Sequence, residues 1–339
     1  MDYSNYSMLA MVTAAVVYLL AVFAHAAEWA SAKNASAPVV RRRRLRDRTL
    51  VTAGAGTEAG ADPDTGSADT TATTDGPDGP VVNGETDKDR LRTDKFGRIG
   101  IALTVVALIC NVVGVVFRGL AADRLPWGNM YEFSTTSMIF AVTAYLVAAM
   151  RFDMRWLGLP VTMFATIALG LAVTVFYVDI GPLQPSLHSV WFAFHILAAT
   201  IAGAAFTVGG VASVLYLIRS RAEQRNEVIR GYLAKLPSAE KIDRVAYGLV
   251  AFAFPLFTFV ICAGAIWAQY AWGRYWGWDP KETWSLVTWV IYACYLHARS
   301  TAGWKGKRAA IIALIGMASF WWNFVGINLL VSGLHSYAK

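Results

Sequence analysis

Residues 190–218 read VWFAFHILAATIAGAAFTVGGVASVLYLI, a run in which His195 is the one ionisable side chain apart from Tyr216. At 1.5 Å of rise per residue, a helix of this length more than covers the roughly 30 Å of hydrocarbon in a bilayer. Working outward, runs of similar character occur at about 8–28, 98–117, 131–150, 157–178, 246–267, 284–299 and 309–331. The whole chain of 339 residues is 56% hydrophobic and 16% charged, with a mean hydropathy of +0.44, which excludes an ordinary soluble enzyme. The fold class is all-α: a polytopic membrane bundle of about eight transmembrane helices.

The net charge of +7 does not point to nucleic acid, because the basic clusters sit beside apolar runs, where they set orientation. Arg41–Arg44, Arg46 and Arg48 follow the first span, and Lys95 and Arg98 precede the second. Arg151 and Arg155 join the third to the fourth, and Arg219, Arg221, Arg225 and Arg230 follow the fifth. Arg299, Lys305, Lys307 and Arg308 join the seventh to the eighth. With eight spans all of these fall on one side, the cytoplasmic one, so both termini and the loops 118–130, 179–189 and 268–283 lie outside. The expected location is the cell (plasma) membrane.

Three units follow: an N-terminal anchor at 1–30, a basic and then disordered cytoplasmic linker at 31–95, and a membrane domain at 96–339. The first span is read as a retained anchor, since no positive charge precedes it and six arginines follow, the reverse of a secretory signal. Residues 52–94 are rich in Gly, Thr, Asp and Ala and nearly free of aromatics, too little apolar matter to offset the entropy of ordering. The polar residues 219–243 are expected to be helical. Cys110, Cys262 and Cys294 lie in apolar runs with no C-x-x-C among them, so they read as packing residues rather than a redox pair or a thiolate zinc site.

Six of the thirteen tryptophans, Trp267, Trp272, Trp276, Trp278, Trp284 and Trp289, fall in one stretch at an outer boundary. An interfacial belt spreads its indoles over all helix ends. Crowding in one loop favours a stacking platform for a large flat ligand. Within it, Asp279, Pro280 and Glu282 suit the N-cap, N1 and N3 positions of a helix, so both acids read as caps before acid–base catalysts. Arg274 and Lys281 are the local cations, set either to hold acidic groups of a ligand or to face water and headgroups.

His195 and His335 come out at the outer leaflet, level with the Trp-rich loop; His297 and His25 lie near inner helix ends, and His188 sits in an outer loop as a surface residue. Ionisable groups within a membrane are costly and mark function. Two histidines flanking an aromatic platform suggest bis-imidazole ligation of a haem iron. No H-E-x-x-H or Cys-His cluster supports hydrolytic zinc, and paired intramembrane carboxylates that would suggest a proton-driven pump are absent.

The run from Trp272 to Leu286, WGRYWGWDPKETWSL, closely resembles the WWD signature of the cytochrome c assembly family, and in particular its CcsA (ResC) type, belonging to system II. Three further segments agree: Trp127–Phe133 (WGNMYEF), Leu183–Trp191 (LQPSLHSVW) leading to His195, and Gly333–Tyr337 (GLHSY). The resemblance covers about 98–339. It implies a haem-handling subunit of a holocytochrome c synthase that holds haem b, as ligand and substrate, at the outer face and promotes thioether attachment to the C-x-x-C-H motif of apocytochrome c. By motif position it implies His195 and His335 as iron ligands of an outer site, and His297 as a ligand of an inner site. Trp272, Trp276, Trp278, Asp279 and Arg274 would belong to the haem-holding segment. The second inner ligand in related systems comes from the partner membrane protein; His25 is covered by no family motif and is placed beside His297 only because both belong to the inner leaflet.

The short outer loops leave no large domain to grip an apocytochrome, so a CcsB (ResB)-type partner is expected, and a separate thiol-reducing partner because the chain has no C-x-x-C. Two other functions compete. A haem exporter without synthase role would share every motif. A b-type electron-transfer subunit would favour histidine pairs on facing helices in both leaflets and leaves the Trp-rich loop unexplained.

Overall fold

The computed structural model describes residues 3–32, 36–37, 87–225, 229–301 and 303–335. The helices, in chain order, are α1 (Tyr3–Ser31), α2 (Asp87–Ala122), α3 (Met130–Arg151), α4 (Gly158–Thr174), α5 (Val190–Gln224), the single turn α6 (Tyr232–Lys235), α7 (Ala239–Trp272), α8 (Pro280–Ser300), α9 (Lys307–Trp321) and the single turn α10 (Ile327–Leu330). Short 3₁₀ turns at Arg155–Leu157 and Pro185–Leu187 lead into α4 and α5, and a π-helical turn at Trp322–Gly326 joins α9 to α10. The one ladder among the described residues pairs Ser36–Ala37 with Ile229–Arg230, antiparallel.

Among the described residues, seven helices are long and apolar enough to cross a membrane: α1, α2, α3, α4 with its 3₁₀ turn, α5, α7, and α9 continued through α10. The protein is thus a polytopic α-helical membrane bundle. The expected span at 284–299 falls in α8, which holds no stretch as apolar as those of the seven. Geometry nonetheless makes α8 an eighth traverse. It starts one loop after α7 ends, and near its far end Arg299 donates 2.8 and 3.1 Å hydrogen bonds to Asp243, close to the start of α7. The two helices therefore run antiparallel, and the end of α8 comes back to the first turns of α7.

Contacts at the helix ends sort the bundle into two poles. Tyr3 at the head of α1 stacks on Phe117 near the tail of α2, and Arg118 reaches Glu132 at the head of α3. The head of α5, the tail of α7, the head of α8 and the tail of α10 meet at this same pole, through Trp267, Trp272 and His335. The described chain thus begins and ends at the pole that carries the Trp-rich loop, as the charge pattern requires. At the opposite pole His25 touches Glu28, with Nδ1 to Oε2 at 3.0 Å, and Trp29 stacks on Tyr232 at 4.4 Å.

Besides a small cluster of Leu187, Phe192 and Trp267, packing divides into two apolar clusters. One joins α1, α2, α3 and α4 around Tyr18, Met138, Tyr145 and Leu169. The other joins α5, α7, α8 and α9, where Phe206 stacks on Tyr292 at 3.8 Å and an interplanar angle of 4°. In a membrane, close packing and interhelical hydrogen bonds replace the hydrophobic effect between helices, which suits the alanine-rich faces of both clusters.

The boundaries depart from expectation in a consistent direction. α2 begins at Asp87, so residues 87–95, expected in the linker, are helix, and Ser36–Ala37 form a ladder. The backbone hydrogen bonds of a helix do not stop at the hydrocarbon edge, and polar sequence with good helix propensity extends the spans into water. The expected helical stretch 219–243 is met by the end of α5, α6 and the start of α7. The rest of the expected linker, 33–35 and 38–86, lies outside the described residues. Of the cysteines, Cys110 is half-buried, whereas Cys262 and Cys294 sit on exposed faces, so packing explains only the first.

Candidate functional site

The Trp-rich loop is built by caps that its sequence announces. α7 ends on Gly273 in the left-handed conformation, φ 72°, which a residue without Cβ adopts at little cost. The N-cap of α8 is Asp279 with Pro280 at the first helical position, and Glu282 closes a capping box. Glu282 accepts from the N–H of Gly277 (2.8 Å) and of Asp279 (3.1 Å) and from Arg274 (3.2 Å). One carboxylate thereby folds the loop 273–279 over the head of α8. Trp278 is held with φ 59°, unusual for a bulky side chain, and its ring is 69% exposed.

Below this loop lies an open cavity of about 1160 Å³, counting the solvent space at its mouth, walled by α3, α5, α7, α8, α9 and the closing segment. Its aromatic lining comes from Trp127, Phe192, Trp267, Trp272, Trp276 and Phe257, among others. His195 and His335 both line it. Each imidazole packs against Trp267, with ring centroids 5.8 Å apart in both cases, so the two lie within twice that distance of one another. Trp272 approaches His335 edge-on at 5.0 Å.

Both imidazoles are oriented through the same nitrogen. His195 Nδ1 donates to the carbonyl of Val260 at 2.8 Å, and His335 Nδ1 donates to Asp279 Oδ2 at 2.9 Å. A neutral imidazole whose Nδ1 carries the hydrogen keeps its ligating lone pair on Nε2, the arrangement typical of metal-binding histidines. Burial pushes the His335 imidazole below its ordinary value, so it is neutral near pH 7. Burial pushes Asp279 up, but hydrogen bonds from His335 and the Leu334 N–H outweigh it and hold the carboxyl down to about 2.

Gly264 marks how closely α7 passes His195. A Cβ at this position would lie 2.9 Å from His195 Nδ1, tighter than packing allows. Gly264→Ala is therefore expected to turn the imidazole and break its bond to Val260, weakening ligand binding at this position with a small change in thermal stability. Titration of the purified variant with exogenous imidazole-binding metalloporphyrin checks it; unchanged affinity counts against the close approach.

The other residues singled out in the sequence are placed as follows. Trp272 and Trp276 line the cavity, and Trp276 meets Trp278 edge-on at 5.8 Å. Asp279 stands behind His335 rather than in the cavity wall, and Arg274 is engaged with Glu282 outside it. Trp284 packs on Trp322, and Trp289 donates to Thr258 at 2.8 Å, so both serve helix packing. His297 is exposed near the far end of α8, and His188 is exposed in its loop. His25 is 1% exposed, held by Glu28 and pressed against Gly100 and Gly158, where an added Cβ would meet its ring. The structure thus takes His25 and His297 to the same pole but into different surroundings, one packed inside α1, α2 and α4, the other on the outside of α8.

Several cavity residues were not singled out from the sequence. In the sequence Trp267 is one member of the cluster, yet in the structure it is the ring that both histidines share. Asn323 in the π turn 322–326 and Asn328 in α10 also line the cavity. The available signal was two amides within an apolar span, and π turns often accompany functional sites.

Residues 127–335 match the family model described as cytochrome C assembly protein. The match begins at Trp127 and ends at His335, both in the cavity wall. The chain is 33% identical over 295 residues to the cytochrome c biogenesis protein CcsA of Synechococcus sp. (strain JA-3-3Ab), covering 71% of this chain and 84% of the relative. It is 33% identical over 263 residues to CcsA of Guillardia theta, covering 70% and 85%, and 33% identical over 299 residues to CcsA of Gloeobacter violaceus, covering 73% and 88%.

Proposed function

The chain belongs to the cytochrome c assembly family and is a CcsA-type protein of cytochrome c biogenesis; from that premise we propose that it holds haem b in the cavity beneath the Trp-rich loop and presents it for covalent attachment to apocytochrome c. The observation that carries this reading is the pair His195 and His335, both lining one aromatic cavity and both tied through Nδ1.

Haem supplies the iron and the vinyl groups; the chain supplies place and orientation. His195 and His335 would hold the iron through Nε2, with Val260 and Asp279 fixing the tautomers. Trp127, Trp267, Trp272 and Trp276 offer π faces and edges to the macrocycle and exclude water from its apolar part. The cavity is open, so a polypeptide reaching it finds the bound ring from one side. Attachment joins each cysteine thiol of C-x-x-C-H to a vinyl group, and holding the ring in one pose makes that addition effectively unimolecular. The chain is in this reading a subunit of a holocytochrome c synthase, active at the extracytoplasmic face of the plasma membrane.

Partners follow from what the cavity pole offers. The described connections there, 123–129, 175–189 and 273–279, are short, so a CcsB (ResB)-type membrane protein is proposed to grip the apocytochrome, with a separate thiol reductant keeping its cysteines reduced. His297, exposed on the outside of α8, is accessible to such a partner and would share an inner haem site with it rather than with the enclosed His25.

The test is an absorption spectrum of the detergent-purified protein with its partner, repeated for His195→Ala and His335→Ala with imidazole added back. A reduced bis-histidine haem spectrum that weakens in either variant and returns with imidazole is expected. Haem indifferent to both substitutions would remove the pair as ligands. Covalent haem on a co-expressed C-x-x-C-H substrate separates attachment from export alone.

A further inference from the structure

The wall of the cavity carries one ammonium. Lys281, in the first turn of α8, lines the cavity, and its Nζ donates to Asn328 Oδ1 at 2.7 Å, its only hydrogen-bond partner among the described residues. A lysine ammonium has three donors, so one neutral amide leaves it under-satisfied. Asn328 is itself fixed, donating to the carbonyl of Phe324. Asn323, also in the wall, gives its N–H to Ser285 Oγ at 2.9 Å and keeps a buried Oδ1 without a partner.

The neighbouring charges are committed elsewhere. Glu282 takes Arg274 and two backbone N–H groups, and Asp279 takes His335, the Leu334 N–H and the Lys281 N–H. No carboxylate among the described residues comes within ion-pair distance of Lys281 Nζ. A cation facing an aromatic cavity without a counter-charge is costly, and the cost is recovered when the ligand brings an anion. Arg274, the other cation of the loop, is paired and lies outside the cavity wall.

We propose that Lys281, steadied by Asn328, forms a carboxylate-binding subsite of the cavity and takes a side-chain carboxylate of the porphyrin. The assignment rests on the reading that a porphyrin occupies this cavity. It makes Lys281 the residue that fixes the rotation of the ring about the axis through its two histidine ligands, and hence which edge of the ring faces the incoming thiols.

The experiment uses the full chain purified with its partner and reads binding by quenching of tryptophan fluorescence. The probes are metal-free protoporphyrin IX and its dimethyl ester, which differ in the charge of the carboxyls and by two ester methyl groups and need no axial ligand. Wild type is expected to bind the diacid about tenfold more tightly than the diester. Lys281→Met is expected to erase that preference by weakening the diacid alone, and Lys281→Arg to retain it. Equal binding of the two probes by wild type, which needs no variant to fold, overturns the subsite; so does a preference that survives Lys281→Met.

Iron protoporphyrin with His195→Ala and His335→Ala forms a separate arm. Loss of haem absorption there together with equal binding of the metal-free probes leaves the histidine reading standing and the subsite rejected. A Lys281-dependent preference for the diacid with haem indifferent to both histidines does the reverse. Failure of wild type to bind any porphyrin rejects both.

Discussion

Glu132→Ala is expected to destabilise the cavity pole by roughly 3–5 kcal/mol, the range found when one partner of a buried ion pair is removed. Glu132 is fully buried and accepts four hydrogen bonds: from Arg118 Nε at 3.0 Å, from Arg124 at 2.7 and 3.2 Å, and from the Gly128 N–H at 2.8 Å. Arg118 is itself 2% exposed, lies over the Tyr131 ring at 5.1 Å and donates to the carbonyl of Val178. Without the carboxylate, two guanidiniums at the end of α2 and in the following loop face each other without an anion. The loop 123–129 then loses its anchor, and Trp127 with it. A melting curve of the detergent-solubilised variant checks the effect; a transition at the wild-type temperature would falsify the anchoring role. Glu132→Gln, which keeps the shape and two acceptor lone pairs, should fall between.

Asp279→Ala is expected to lower haem affinity roughly 10- to 100-fold, the usual consequence of losing the group that orients a metal-binding histidine. It also removes a helix cap, at a cost of about 1 kcal/mol. The two effects can be separated. Asp279 Oδ2 caps α8 through the Lys281 N–H and receives His335, while Oδ1 receives the Leu334 N–H. Asp279→Asn retains an oxygen able to cap but loses the charge, so its melting temperature should stay close to wild type while its haem spectrum weakens. A spectrum unchanged in both variants would mean that His335 needs no support from Asp279.

The membrane bundle was legible in the sequence because a twenty-residue apolar run has few other uses, and each of the eight expected runs coincides with a helix, although the fourth stops at Thr174, short of the expected 178. The site was legible in a different way. Trp272 and Trp276 line the cavity because the motif that contains them is local, confined to one loop, and His195 and His335 join them from two other segments that were each recognisable on their own. What the sequence withheld were relations between distant segments. Nothing in the run around Val260 announces that its carbonyl holds His195, 65 residues earlier. The exchange of roles between Arg274 and Lys281 was equally hidden, since it depends on which of the two Glu282 engages. Likewise, leaflet placement brought His25 and His297 to one level but carried no information on which neighbours enclose each.

The polar character of α8 bears on how the protein is made. Several of its polar side chains hydrogen-bond across the bundle: Thr288 to Ser319, Trp289 to Thr258, Ser285 to Asn323, Lys281 to Asn328 and Arg299 to Asp243. A segment of such composition partitions poorly into lipid alone. Its insertion must therefore wait for α7 and α9, so that the three enter the bilayer as one unit during biosynthesis. The outer cavity cannot exist before that unit closes, and a chain arrested after α8 would leave the ribosome with an unfinished, lipid-averse helix for quality control to find.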